Sequence, residues 1–208
     1  DPRAAPAEAN TPHASAPRAA SVSTSAECPN RRPYHTILTA QSTIYQQWQS
    51  QIMYFHWKKQ RAAQGACTEM EGFTRLTATV DAKPDGLETE IPSIFTSSYS
   101  DEFLANYFHF GVLNRPRSFD ILFSTPELLK QITSSYVLIA ETDHVLMKPL
   151  PNLAEESRPA GFDFGYMHAN ERQNQIIRKY WPGGDYHKID PVGPSPLMIH
   201  VDQLRAIT

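Results

Sequence analysis

The chain has 208 residues, 40% of them hydrophobic and 20% charged, with a formal net charge of -3. That length suits one domain, or one domain with a tail, and the balance excludes a membrane-spanning bundle, a collagen-like repeat and a wholly disordered chain. The slight acidity argues against a nucleic-acid binder that neutralises phosphates along a broad basic face.

Proline is over-represented, 17 residues against 9 glycines. Residues 1–33 hold six of these prolines (Pro2, Pro6, Pro12, Pro17, Pro29, Pro33) among alanines and serines, with Val22 the only aliphatic side chain larger than alanine. Such a stretch buries too little apolar surface to offset the entropy of ordering it, and it reads as a disordered stem or linker. No run of 18 apolar residues occurs and the first residue is Asp1, so any signal or membrane anchor is expected upstream. Cys28 and Cys67 are the only cysteines. They pair if the compartment is oxidising and stay as free thiols otherwise, and two are too few for a closed zinc site.

From residue 34 the pattern alternates between strand and helix. His35 to Ala40 is β-branched and short, a strand. Thr43 and Gln46 have capping-box spacing, and Ile44, Trp48, Ile52 and Phe55 fall on one face of a helix running to about Arg61, with Gly65 as its stop. That aromatic face is expected in the core. Strands are predicted over Gly72–Val80 and Ile91–Thr96, then a helix after Arg115 and another opened by Thr125–Pro126. Tyr136 to Ala140 is the most apolar short run, as suits a buried central strand of a parallel sheet. Asn170 to Trp181 reads as an amphipathic helix with Ile176, Ile177 and Tyr180 inward, and Leu197 to His200 as a last strand. The result is an α/β sandwich with a mostly parallel sheet, in which ligands gather at the carboxyl ends of the strands.

That rule points to Glu141-Thr142-Asp143-His144, directly after the central strand. In an extended chain Glu141 and Asp143 share a side and His144 faces away. A carboxylate beside an imidazole suits manganese or a similar divalent ion able to bridge phosphate oxygens, although acidic residues also simply end strands. Arg75, inside a strand-like run, and Arg115, in a turn-like position beside Pro116, each have a planar fork suited to a diphosphate; each could instead pair with a structural carboxylate, the commoner outcome for an isolated arginine. Ile189 to Pro196 reads as a rigid, proline-clamped loop near the site. No Gly-x-Gly-x-x-Gly run, Walker loop, Gly-x-Ser-x-Gly elbow or His-Glu-x-x-His pair is present.

Taken in order, several segments resemble one family. Tyr34 to Ala40, Tyr45 to Gln49, Ile52-Met53-Tyr54 and Glu69 to Arg75 are followed by Val112 to Pro116, Glu141 to His144, Pro149 to Leu153 and Ile189 to Gly193. Together they are similar to the hydroxyproline O-arabinosyltransferases of plants and green algae, with Thr142 standing where proline is expected and Glu71 where glycine is. The resemblance implies a GT-A-like, metal-dependent enzyme of the Golgi lumen, anchored as a type II membrane protein. It would transfer L-arabinofuranose from UDP-L-arabinofuranose to hydroxyproline of secreted glycoproteins or peptides. Asp143 and His144 become the expected manganese ligands, Asp143 also contacting the diphosphate. Thr39, Ala40, Arg75, Asn114 and Arg115 become donor contacts, and Glu141 and Asp190 the carboxylates offered for catalysis. The resemblance also implies a further carboxyl-terminal part, so the chain is expected to be a fragment. A related transferase using galactose, or a non-catalytic binding module, are the alternatives.

Overall fold

The structure, a computed structural model, describes residues 28–208. The predicted stem therefore lies outside the described residues up to residue 27. Among the described residues no helix is long and apolar enough to cross a membrane.

Six strands form one sheet: β1 (Tyr34–Gln41), β2 (Met70–Thr79), β3 (Ser93–Ser97), β4 (Tyr136–Glu141), β5 (Ala160–Asp163) and β6 (Val192–His200), in the order β3-β2-β1-β4-β6-β5. The ladders β3-β2, β2-β1 and β1-β4 are parallel, whereas β6 runs antiparallel to both β4 and β5. The sheet is thus mixed rather than mostly parallel. The apolar pattern of Leu197 to His200 marks a strand but not its direction, which the incoming connection sets. The run read as a loop through Pro196 is also the first half of β6.

Among the described residues there are six α-helices: α1 (Ile44–Gln64), α2 (Asp101–Ala105), α3 (Asn114–Ser124), α4 (Pro126–Leu129), α5 (Asn174–Tyr180) and α6 (Val201–Ile207). Alternation along β1 and β4 divides the core between the two faces. Leu38, Leu138 and Ala140 pack with Met53 and Trp57 of α1 on one face. Ile37, Val137 and Ile139 pack with Phe119 and Leu122 of α3 on the other.

Helix α1 is capped as its sequence predicts: Thr43 Oγ1 accepts the Gln46 N–H at 3.2 Å. The second half of the box is redirected, because Gln46 Oε1 accepts the N–H of Gln41 at 2.6 Å and so ties the helix start to the end of β1. Gly65, at φ 63°, ends the helix in a conformation that glycine adopts freely.

The buried face of α1 is not the predicted one. Ile44, Trp48, Ile52 and Phe55 are exposed, and Gln49, Ser50, Met53, Trp57 and Gln60 face the sheet. The buried polar side chains of this face, Gln49, Trp57 and Gln60 among them, are paired. Gln49 Oε1 accepts the Thr142 hydroxyl (2.8 Å), Gln60 Nε2 donates to the Leu146 carbonyl (3.1 Å) and Trp57 Nε1 donates to Thr36 Oγ1 (3.1 Å). The face predicted for Asn170–Trp181 fails similarly: a short 3-10 turn precedes α5, and Ile176 and Tyr180 are exposed.

The start of the domain is fastened to two later segments. Cys28 and Cys67 form a disulfide, which decides the question their sequence left open. The Arg32 guanidinium donates to the carbonyls of Asn152 (2.6 Å) and Ala154 (2.7 Å), and the Tyr34 hydroxyl donates to that of Leu150 (3.0 Å). Glu69 accepts the backbone N–H groups of Arg32 and Asn152, both at 2.7 Å. The motif residues Glu69 and Asn152 are therefore architectural.

Candidate functional site

Among the parallel strands the order 3-2-1-4 reverses direction between β1 and β4, and open α/β sheets bind ligands at that switch point, beyond the carboxyl ends of the strands. A polar cavity of about 90 Å³ lies there. β1 contributes Thr39, Ala40 and Gln41, α3 contributes Asn114, Arg115 and Ser118, and β4 ends in it with Glu141 and Thr142. Gly111 closes one wall, where a Cβ would stand 2.9 Å from the Gln41 side-chain amide and displace it.

Arg115 is not in a turn but in the first turn of α3, with Pro116 after it at a position where no intrahelical N–H bond is required. Its Nη2 lies 2.8 Å from Glu141 Oε2, in a pair that is part-exposed on both sides. Asn114 is buried, and its Oδ1 accepts the Tyr99 N–H at 2.8 Å. Thr39 donates to the Ala140 carbonyl at 3.1 Å, which links β1 and β4 just below the cavity.

The extended-chain reading of residues 141–144 does not hold. The strand ends at Glu141, and a turn closed by the His144 N–H on the Glu141 carbonyl (3.2 Å) sends Asp143 away from Glu141. Glu141 and Thr142 line the polar cavity, while Asp143 and His144 line a second cavity on the α1 side. His144 Nδ1 accepts the Glu141 N–H at 3.1 Å, and its Nε2 stands 4.0 Å from Asp143 Oδ1. Burial lowers the His144 pKa and Arg115 adds to that, against the opposing pull of Asp143 and Glu141. A neutral ring that accepts at Nδ1 carries its proton on Nε2.

Arg75 takes the structural role. It is wholly buried in β2, and its guanidinium grips Asp85 at 2.8 and 2.6 Å while Nε donates to Ser93 Oγ (3.1 Å). Burial alone would raise the Asp85 carboxyl, but the Arg75 fork holds it below its usual range. Arg75 lines neither cavity, and neither does Asp190, which is exposed just before β6. Gln41, Gln46, Gly111, Val112 and Ser118 line the polar cavity without having been predicted to. Gln41 follows the predicted first strand, Gln46 belongs to the predicted cap and Val112 opens a family-like segment, whereas Gly111 and Ser118 carried no signal.

The hydroxyproline O-arabinosyltransferase family N-terminal domain matches residues 34–208. The chain belongs to the hydroxyproline O-arabinosyltransferase family. Hydroxyproline O-arabinosyltransferase RDN2 of Medicago truncatula is 39% identical over 180 residues, covering 86% of this chain and 47% of that protein. Hydroxyproline O-arabinosyltransferase 1 of Arabidopsis thaliana is 36% identical, over 85% of this chain and 46% of that protein. NOD3 of Pisum sativum, of the same description, is 37% identical over 80% and 47%. The chain thus spans about half the length of the curated relatives it matches. No solved structure matches it.

Proposed function

We propose that this chain forms the nucleotide-sugar-binding part of a glycosyltransferase, GT-A-like in architecture. It would move L-arabinofuranose from UDP-L-arabinofuranose to hydroxyproline of secreted proteins or peptides. The reading is supported by the polar cavity at the β1/β4 switch point, with one guanidinium fixed in its wall, in a chain whose relatives are named hydroxyproline O-arabinosyltransferases. Arg115 presents a planar fork there, suited to the oxygens of a diphosphate. Glu141 is already bound by that fork, so its part is to hold Arg115 in place until substrate arrives. Neither Glu141 nor Asp190 is placed to act as a base in this arrangement.

Among the described residues no three His, Cys, Asp or Glu side chains gather as a metal cage. Asp143, two-thirds exposed, fits a hard divalent ion such as manganese whose remaining ligands are water and diphosphate oxygens. His144 joins only by giving up its bond to the Glu141 N–H, since Nε2 otherwise carries a proton. When bound, the ion neutralises charge that develops on the departing diphosphate. The Cys28–Cys67 disulfide supports an oxidising compartment, and with it the Golgi lumen as the site of action of a membrane-anchored full-length form.

Titration calorimetry with UDP and manganese tests the reading. Hydrogen bonds to charged groups contribute roughly 1.5–3 kcal/mol, so Arg115→Ala should weaken UDP by about ten- to a hundredfold, with part of the loss recovered by Arg115→Lys. Undiminished binding by Arg115→Ala would refute the site. Competition among UDP-sugars then separates arabinofuranose from galactose as donor.

A further inference from the structure

The turn after β4 divides four consecutive residues between two cavities of opposite character. The second cavity, about 490 Å³, is almost wholly apolar: Met53, Leu138, Leu146, Phe162 and Pro196 are among its walls. Its polar groups are confined to Asp143, His144 and Lys148. Its volume falls within the roughly 300–1,000 Å³ of pockets that enclose small ligands. A nucleoside or phosphate placed there would face walls unable to return its hydrogen bonds, a costly desolvation. The occupant must be apolar over most of its surface, with a polar group at the edge that carries Asp143 and His144.

We propose that this cavity seats the acceptor: the pyrrolidine ring of a hydroxyproline and its neighbours in an extended, proline-rich segment, with the ring hydroxyl directed to the Asp143–His144 edge. The assignment rests on the glycosyltransferase reading, which holds the diphosphate by Arg115 on one side of the same turn and through an ion on Asp143 at the other. The chemistry matches on each count. A prolyl ring is compact and apolar, and its hydroxyl is its one polar substituent. A polyproline II segment has no internal hydrogen bonds and is already ordered, so it docks against aromatic and aliphatic walls at small entropic loss. With the nucleotide in the polar cavity and the acceptor in the apolar one, the peptide's hydroxyl and the sugar meet at the turn of residues 141–144, beside the ion on Asp143.

The test uses the 208-residue chain and a fluorescein-labelled hydroxyproline-rich peptide followed by anisotropy, with UDP and manganese titrated separately. Val145 and Met147 line the cavity but are themselves exposed, at 43% and 78%, so Val145→Glu with Met147→Glu keeps the fold, as circular dichroism will check. The expected result is at least tenfold weaker peptide binding and UDP affinity within twofold of the parent. A peptide with alanine at every hydroxyproline should not bind. The proposal is overturned if the parent fails to bind the hydroxyproline peptide at millimolar concentration, if the double variant binds it as well as the parent, or if the alanine peptide binds equally. Failure of the donor reading shows separately, as absent UDP binding in the parent chain.

Discussion

His35 is almost fully buried in β1, and its ring fills the space left by the missing side chain of Gly72, where a Cβ would collide with Nδ1. Nδ1 accepts the Thr133 N–H at 3.2 Å and Nε2 lies 2.8 Å from Thr74 Oγ1, so the neutral ring is satisfied on both sides. Burial drops its pKa from 6.5 to about 4. Above pH 6.5 both folded and unfolded chains are neutral at this position and the stability is complete. Between pH 6.5 and about 4 the unfolded chain takes a proton that the folded one refuses, so stability falls as pH falls, by on the order of 3 kcal/mol in all. Urea titrations at pH 7 and pH 4.5 should show this loss, and His35→Gln should lose less over the same interval. At this scale the sequence was half legible. A charge inside a strand demanded a partner for Arg75, but Asp85 lies outside every recognisable motif. Similarly, Gly72 gave no sign of the ring opposite, which only the pairing of β1 with β2 brings to it.

Helix α1 carries two stripes of identical spacing, Ile44-Trp48-Ile52-Phe55 and Gln49-Met53-Trp57-Gln60, five residues and so about 140° apart. Hydrophobicity favours the first; the fold buries the second. The choice turns on partners that helix periodicity cannot display, namely Thr142, Leu146 and Thr36, each supplied by another element. Two mutations separate the stripes. Trp57→Ala should cost about 3–5 kcal/mol in chemical denaturation, as for other buried tryptophans. Trp48→Gln together with Phe55→Gln should stay within about 0.5 kcal/mol per site, the usual range for exposed positions. Element existence was far more legible than orientation. The parallel strands β1, β2 and β4, the cap at Thr43 and the helix start at Pro126 follow from local residue types. The antiparallel course of β6 and the bend that parts Glu141 from Asp143 depend on connections and were not to be read from alternation.

Across the whole molecule, the polar cavity lies at the carboxyl ends of the parallel strands, and the chain enters β1 at the opposite end, roughly 25 Å away for a strand of eight residues. The disulfide there closes a loop spanning 39 positions, and a loop of that length contributes about 3–4 kcal/mol by restricting the unfolded chain. Cys67→Ser should lower the unfolding free energy by that amount, with UDP affinity unchanged because the bond is at the far end of β1 from the polar cavity. The placement has a mechanical side. Tension along the polypeptide ahead of residue 28 is handed through a covalent bond to the junction of α1 and β2. The first strand therefore shares the pull with a second covalent path, which lightens the load reaching the switch-point cavity beyond its far end.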